Sequence, residues 1–566
     1  MCAPTPRLGL PDSLLPTRTR RPPPDRFDIE FGLSDGTTYN SYVIQGDGLV
    51  AVVDCSHAKF SEQYFEALTG VVGDLSRVTH LIVSHTEPDH SGLVARFLEL
   101  APQTVVVGAR VCLQFLANLV HTPFTSLEVK QGSSLDLGAG HVLDFVPAPN
   151  LHWPDTMFTF DRATGVLFTC DAFGAHFCSP EVFDSSPAAL EPHYRFYYDC
   201  LMKPNARSVV TALRKVEGMA VTTIAVGHGP VLRFNVPDWM SKYGAWSADA
   251  LKKAAATVAV LYTAEYGFGD RLSQALARGL TKTDVETVML DLSTADAQEV
   301  SDAVARAKGV VLMTPPASGR AHDALASVLA GAQAGQPFLV AESYGGQDEP
   351  VDTLSASLLA AGAQLAAPAL RCKDTPSEGT YQTYEESGTD LGQALTAAAT
   401  LKAQKTGLSP QLAKALGRVS GGLYLLTAVR GDARSAMIAS WVAQAGFSPP
   451  SFTVAVAKDR AIESLMQVGD AFVLNCLPEG GHVPLMKHFL RRFPPGADRF
   501  AGVAWSPAPR SGCPVLQDAA AFLECRVTSR MEAGDHWVVL ASVEDGATLR
   551  PDTRTAVHHR KVGSYY

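Results

Sequence analysis

The stretch Ser84-His85-Thr86-Glu87-Pro88-Asp89-His90 places four side chains able to bind a metal, His85, Glu87, Asp89 and His90, within six residues. It directly follows the apolar run Leu81-Ile82-Val83. A short β-branched run ending in a polar turn predicts a buried strand with a loop at its carboxyl end, where open α/β sheets carry their chemistry. Three more ligand types recur in this setting: His152 after Val142-Leu143-Asp144-Phe145-Val146 and a loop, Asp171 after Val166-Leu167-Phe168-Thr169-Cys170, and His228 after Ile224-Ala225-Val226-Gly227. The competing reading, ordinary loop histidines beside a solvated acidic turn, does not explain why each donor follows a strand. Seven donors exceed what one tetrahedral ion takes. Two ions are implied, with Asp171 bridging, His85, Glu87 and His152 on one, and Asp89, His90 and His228 on the other. Cys170 reads as packing.

The elements that hold such a set need more than one core. At 566 residues, two to four domains are expected. No uninterrupted apolar stretch approaches the roughly 18 residues of a membrane span. A net charge of −10 argues against nucleic acid as the main partner. The ten cysteines are scattered singly and read as reduced thiols. Residues 1–26 carry seven prolines and five arginines against two acids, a composition that predicts a disordered tail or the remnant of a transit peptide. Folded structure is expected from near Phe27. A hairpin is predicted over 38–44 and 49–54, across Gly46-Asp47-Gly48, with strands and helices alternating to about residue 235. A first domain over 27–250 results. Within it, the helical stretch His193-Tyr194-Arg195-Phe196-Tyr197-Tyr198 is core by default, unless Tyr194, Tyr197 or Tyr198 lines the metal pocket and supplies a catalytic hydrogen bond or proton.

A second domain is expected over 255–398. Its first strand, Thr257 to Tyr262, leads into Thr263-Ala264-Glu265-Tyr266-Gly267-Phe268 and a helix, an order that suits a phosphate at the helix N-terminus. Two further loops follow strands, one with Thr314 and Pro315, the other with Ser343, Tyr344, Gly345 and Gly346. Together the three resemble the FMN site of flavodoxin, with Tyr266 or Tyr344 available to stack on the ring. Only Thr263 clearly supplies a hydroxyl to the phosphate, since Ala264, Phe268 and Gly269 fall where others are expected. After a linker at 399–409 the pattern turns β-rich, with strands predicted over 422–429, 452–457, 471–477, 523–530 and 536–543. This third domain, 410–566, resembles the split-barrel flavin reductases. Ser440, Lys458 and Arg460 could hold a flavin phosphate beside Trp441, and His558 or His559 could meet a nicotinamide.

The pattern His85-x-Glu87-x-Asp89-His90 places a carboxylate where zinc hydrolases of the metallo-β-lactamase fold have imidazole, and a hard oxygen donor moves preference toward iron or manganese. With Leu151-His152-Trp153-Pro154, Cys170-Asp171-Ala172-Phe173-Gly174 and Gly227-His228-Gly229-Pro230, the chain resembles the flavodiiron proteins, in the oxygenic-phototroph class that carries its own flavin reductase. The resemblance implies an αββα metallo-β-lactamase-like sandwich, then a flavodoxin-like doubly wound parallel sheet, then a split barrel. It implies two Fe, FMN, a second flavin (FMN or FAD) and NAD(P)H as substrate, with reduced ferredoxin as the other possible donor. The activity implied is four-electron reduction of dioxygen to water as an electron sink in photosynthesis, with nitric oxide as the alternative substrate. The metal ligands are those of the iron-holding subunit type. A head-to-tail homodimer or a hetero-oligomer with a related flavodiiron subunit is implied, in the chloroplast stroma of a eukaryotic phototroph or in cytoplasm.

Overall fold

The computed structural model describes residues 14–21, 26–27, 31–32 and 36–563, apart from 180, 265–268, 314–318 and 345–352. Residues 1–253 and 254–566 form two compact units.

The first unit is built on continuous apolar runs, which form strands whose two faces both meet a core. In Val50–Val53, Val50 and Val52 face one cluster while Ala51 and Val53 face another; Leu81 and Val83 flank Ile82 in the same alternation. A six-stranded sheet results, in the order Leu14–Arg21, Thr37–Gln45, Val50–Val53, His80–Ile82, Val105–Gly108, Ser126–Glu128. Facing it is a five-stranded sheet ordered Thr223–Val226, Val166–Cys170, Met157–Asp161, Val142–Pro147, Ser134–Asp136. Tyr42, Ile44, Ile82, Phe145, Phe168 and Ala225 fill the space between them. Helices Ser61–Val72, Val94–Leu100 and Arg110–Val120 cover the outer face of the first sheet, and Pro187–Tyr197, Ala206–Val216 and Val236–Lys253 that of the second. This is the αββα sandwich.

The leader departs from expectation. Leu14–Arg21 is a strand, antiparallel to Thr37–Gln45 from Leu14↔Ile44 to Arg21↔Thr37. Composition weighed its Pro and Arg; what it could not reveal was a sheet edge open to pairing, where a proline is tolerated.

The second unit opens with a parallel sheet in which Ala256–Tyr262 lies between Val285–Asp291 and Gly309–Met313, followed by Pro337–Tyr344, which pairs with both Gln364–Leu365 and Leu370–Lys373. Strand order 2-1-3-4-5 is that of flavodoxin, with a switch point between the first and third strands. Where a linker was expected, the 29-residue helix Glu378–Thr406 runs on, entered through a capping box at Ser377 and Thr380. A seven-stranded antiparallel sheet follows, from Ala433–Ala439 at one edge to Val442–Phe447 at the other. Met437 and Ala439 from one edge share a core cluster with Val442, Phe452 and Val454 from the other, so the sheet curls on itself.

These two parts are joined by buried charge. Lys282 Nζ lies 2.5 Å from Glu385 Oε1 and 3.1 Å from Glu463 Oε2, and Arg530 Nη2 donates to Glu463 Oε1 at 2.5 Å. Burial alone would raise the Glu385 pKa, but the charges of Lys282 and Arg278 hold it down to about 2, against an ordinary 4.5. A carboxyl with a depressed folded-state pKa stabilises above its unfolded value and loses that contribution as pH falls through the folded one. Unit 254–566 should therefore lose stability between about pH 4.5 and 2, and Glu385→Gln should remove that acid-sensitive part. Lys282→Met, which leaves Glu385 to Arg278 and Glu463 to Arg530 alone, should lower the midpoint of a denaturant titration at pH 7.

Candidate metal centre and flavin sites

The seven expected donors meet at the carboxyl ends of the two facing sheets. Asp171 Oδ2 lies 3.3 Å from His85 Nε2 and 3.0 Å from His152 Nε2, and Glu87 Oε2 lies 3.3 and 3.0 Å from the same nitrogens. Asp171 Oδ1 lies 3.1 Å from His90 Nε2 and 3.2 Å from His228 Nε2, and Asp89 Oδ2 is 3.1 Å from His228 Nε2. One carboxylate thus presents a different oxygen to each of two triplets, and all seven side chains are buried. Each set has its donor atoms within 4.8 Å of one another, a spacing that could hold a metal ion.

Each donor is placed by its strand and held by a second set of contacts. Asp54 Oδ1 accepts from Ser84 N at 2.7 Å, and Asp155 Oδ2 accepts from Thr86 N and Thr86 Oγ1 at 2.9 and 2.8 Å. Together they fix the loop carrying His85 and Glu87. His228 Nδ1 faces Thr38 O at 2.7 Å, while Asn40 Nδ2 donates to Val226 O and Gly229 O. At Gly227 a Cβ would stand 2.6 Å from His90 Cε1, so glycine permits the approach of the two loops. Asp54 and Asp155 have no motif of their own; adjacency to Leu151-His152-Trp153-Pro154 was the available signal for Asp155.

The charges balance by coupling. Burial would lower the His152 and His228 pKa values, yet the charge of Glu87 and hydrogen bonding to Asp171 and Glu87 hold His152 up to about 9. Hydrogen bonds to Asp171 and Asp89 do the same for His228, also at about 9. Burial would raise Glu87 and Asp171, but the neighbouring histidines keep both carboxyls well below the ordinary range.

The three tyrosines separate. The Tyr194 hydroxyl donates to Pro230 O at 2.8 Å with its ring against Trp239, and the Tyr198 hydroxyl shares a 2.8 Å hydrogen bond with Ser247 Oγ beside Tyr243 and Trp246. Both hydroxyls are bonded to atoms outside the donor set, so of the three candidates it is Tyr197 that is left to face it. Tyr197 faces the cluster, its ring 4.8 Å from His176 and 6.3 Å from His228. Among the described residues its buried hydroxyl makes no hydrogen bond. Burial first, then the charges of Asp171, Glu87 and Asp89, push its pKa well up, so it keeps its proton. His176, which sequence reasoning passed over, packs edge-on against Tyr197 and tilted against His228, with Nδ1 3.3 Å from Thr37 Oγ1. Burial drives its pKa well down and keeps it neutral. Its place five residues beyond Asp171 was the signal.

At the switch point of the parallel sheet, Thr263 Oγ1 is buried and makes no hydrogen bond among the described residues, as a hydroxyl reserved for a phosphate would. Ala264 N donates to Asp291 Oδ1 at 3.1 Å. Ser343 is buried and Tyr344 half-buried at the end of their strand. Glu265, Tyr266, Gly267, Phe268, Thr314, Pro315, Gly345 and Gly346 lie outside the described residues. Gly269 is not a lost hydroxyl position: a Cβ there would meet Thr263 O at 2.3 Å, so packing requires glycine. In the final sheet Ser440 is buried, with its carbonyl against Gly421, which pairs with His558. Trp441 lies 5.0 Å from the His536 ring and under the Arg560 guanidinium at 5.1 Å. Lys458 N donates to Asp535 O, next to His536. Trp441 therefore lies with His536 and Arg560, two residues not singled out from the sequence, and Ser440 is joined to His558 through Gly421, whereas the Lys458 ammonium bonds Glu532 Oε1 at 2.5 Å over the Trp537 ring. Arg460 is half-exposed and paired with Asp459 at 3.5 Å.

Comparison with known proteins agrees with this anatomy. Residues 37–229 match the ODP family beta lactamase model and 416–565 the flavin reductase like domain. A "Diflavin flavoprotein A 1" from Synechocystis sp. is 57% identical over 545 residues, covering 96% of this chain and 94% of its own. A "Putative diflavin flavoprotein A 3" from Nostoc sp. is 53% identical over 546 residues, with 96% and 94% covered. The solved flavodiiron core of Flv1 from Synechocystis sp., soaked with metal, superposes with a TM-score of 0.62 at 32% identity, covering 68% of this chain and 97% of that one. A β-lactamase-like sandwich followed by a flavodoxin-like sheet defines a flavodiiron protein, an oxidoreductase class that reduces oxygen or nitric oxide. With a flavin reductase-like domain fused behind that core, the chain belongs to the diflavin flavoprotein A family. Membership implies a diiron centre and FMN, and members of the class are generally oligomeric. Among the described residues no helix is long and apolar enough to cross a membrane.

The first phosphate loop generates a test. A hydroxyl at 264 adds one hydrogen bond to a charged group, worth about 1.5–3 kcal/mol. Ala264→Ser should tighten FMN binding by about tenfold or more, read by quenching of flavin fluorescence after dialysis. Full, dialysis-resistant FMN in the unmodified protein would show that the backbone cradle suffices.

Proposed function

We propose that the chain reduces dioxygen to two waters, with one iron held by His85, Glu87 and His152, a second by Asp89, His90 and His228, and Asp171 between them. The observation that carries the reading is the division of Asp171, whose two oxygens each face one triplet at 3.0–3.3 Å. Glu87 supports iron over the zinc of a hydrolase. The donors fit the group: three carboxylates and four imidazoles, all buried, with the Glu87 and Asp171 carboxyls held well below the ordinary range by the neighbouring histidines. When bound, the iron pair and a reduced FMN supply two electrons each, the four that dioxygen requires, and a flavin converts the hydride of NAD(P)H into single electrons. The residues divide the remaining work. Asp155 and Asp54 keep the His85 loop in place, Tyr197 holds a proton toward the cluster, and neutral His176 orients Tyr197 against His228.

For the flavin-binding parts, Thr263 and the helix starting at Gly269 would take the FMN phosphate, with Ser343 and Tyr344 beside the ring. Ser440, Trp441 and Lys458 would hold the second flavin, FMN or FAD, and His558 would meet the nicotinamide. Arg460, half-exposed, would serve at the rim. A head-to-tail homodimer or a hetero-oligomer with a related flavodiiron subunit is the assembly this reading expects. The cyanobacterial relatives support a phototroph's electron sink and favour cytoplasm over chloroplast stroma.

Iron analysis combined with consumption of dioxygen and of nitric oxide, each under NADH, NADPH and reduced ferredoxin, tests the reading. About two irons per chain and faster turnover of dioxygen are expected; zinc-filled protein with hydrolytic activity would overturn it. Asp171→Ala removes the anion that screens two cations at close range, so iron and dioxygen reduction should be lost together. Lys458→Ala with Trp441→Ala should abolish oxidation of NAD(P)H yet leave dioxygen consumption by chemically reduced protein intact. Undiminished NAD(P)H oxidation would remove the final domain as the point of electron entry.

A further inference from the structure

Three segments of the final domain converge on residues 554–560. Gly421 pairs with His558 and Gly422 with Val557, and Leu423 N donates to Ala556 O. On the other side Ala556 N donates to Leu477 O and Glu479 N to Arg554 O, and the turn after Glu479 starts the helix His482–Leu490. His558, His559 and Arg560 are thereby set beside His482. The Arg560 guanidinium stands 5.1 Å over the Trp441 ring, which lies 5.0 Å from His536.

Nothing acidic answers this group. Among the described residues no carboxylate pairs with His482, His559 or Arg560, and the His482 Nδ1 is buried without a hydrogen bond. Burial first, then the charges of Arg560, His559 and His482, hold the His558 pKa down, so every charge acting on that ring is positive. The acids nearest in sequence, Glu479 and Asp552, are exposed. In a chain of net charge −10, basic side chains gathered without a counter-charge repel one another when protonated, and a bound anion offsets that cost. A metal ion is not the partner, because among the described residues the donor sets close enough to share one all lie around Asp171.

We propose that His482, His559 and Arg560, gathered round His558, form a site for a phosphate monoester, the group that NADPH and FMN carry and that NADH and riboflavin lack. A monoester gives up its second proton at about pH 6 and an imidazole titrates at about 6.5, so the two exchange protons and charge across the neutral range. The guanidinium adds a fixed charge in a planar fork that matches phosphate oxygens. Trp441 offers a flat face to the ring system joined to that phosphate. The inference rests on the final domain being the part that binds the second flavin and NAD(P)H, and it names the ligand that the charge of the domain selects.

The test is calorimetric titration of the full-length protein, already carrying one equivalent of FMN, with NADPH, NADH, further FMN and riboflavin. It compares the unmodified chain with His482→Asn, Arg560→Gln and the two together. The double variant should lose about tenfold or more in affinity for the phosphorylated member of a pair and keep its affinity for the member without the phosphate. A selective loss against NADPH assigns the site to the nicotinamide nucleotide, and one against FMN assigns it to the second flavin. Each single variant should show the same selectivity at smaller size, so any variant that folds decides the matter. Equal losses within both pairs, or no loss in either, would overturn the proposal. An unmodified protein that oxidises neither NADPH nor NADH would sink the reading of the final domain as the point of electron entry; that outcome is separate, because the pairs are compared by binding alone.

Discussion

The carboxylate of Asp171 lies at the centre of the first unit, because two triplets of donors approach it from opposite sides and neither tolerates burial without it. Three acids and four imidazoles in one dry pocket would repel or neutralise one another if arranged at random. Division of one acid between two groups of imidazoles sets a carboxylate oxygen against each ring, although His90 Nε2 and His228 Nε2 still stand 3.2 Å apart. Much of the surrounding structure serves that arrangement: the turn after Cys170, the side-chainless Gly227, and the Asp54 and Asp155 carboxylates that hold the His85 loop by its N–H groups.

The αββα fold is what brings the two triplets together. Strand His80–Ile82 belongs to one sheet and Val166–Cys170 to the other, and their carboxyl-end loops meet where the sheets face each other. Ser84 O accepts from Met157 N across this gap, so the loop bearing His85 is hydrogen-bonded to the opposite sheet. Ligands from distant parts of the chain are fixed relative to one another by the β-ladders, not by loop conformation.

The seven side chains that meet around Asp171 were legible in the sequence because each follows a β-branched run, and the period of such a run decides both the strand and the loop at its end. The same reasoning found the three parts of the chain. Tyr194, Tyr197 and Tyr198 were not separable, because which face of a helix meets a pocket depends on the neighbour it packs on. His176 and Asp155 offered only their nearness in sequence to Asp171 and His152, and their importance is that of contacts. The strand Leu14–Arg21 was hidden by its composition, since pairing with a free edge is a property of the partner. A linker at 399–409 was inferred from turn residues, whereas the capping box at Ser377 and the packing of the following turns carry the helix through most of it.

That uninterrupted helix and the Lys282, Glu385, Glu463 and Arg530 cluster bear on how such proteins can be rearranged. Two flavin-bearing parts joined by a loose tether could be exchanged between relatives as separate cassettes. Here the contact crosses from the parallel sheet's helices to the curled sheet through charges that balance only as a set. A chimera that imports the final domain must import an acid at 463 and a guanidinium at 530, or bring the helix Glu378–Thr406 with it. Recombination within this lineage is therefore expected to respect a boundary before residue 254 more readily than one near 400.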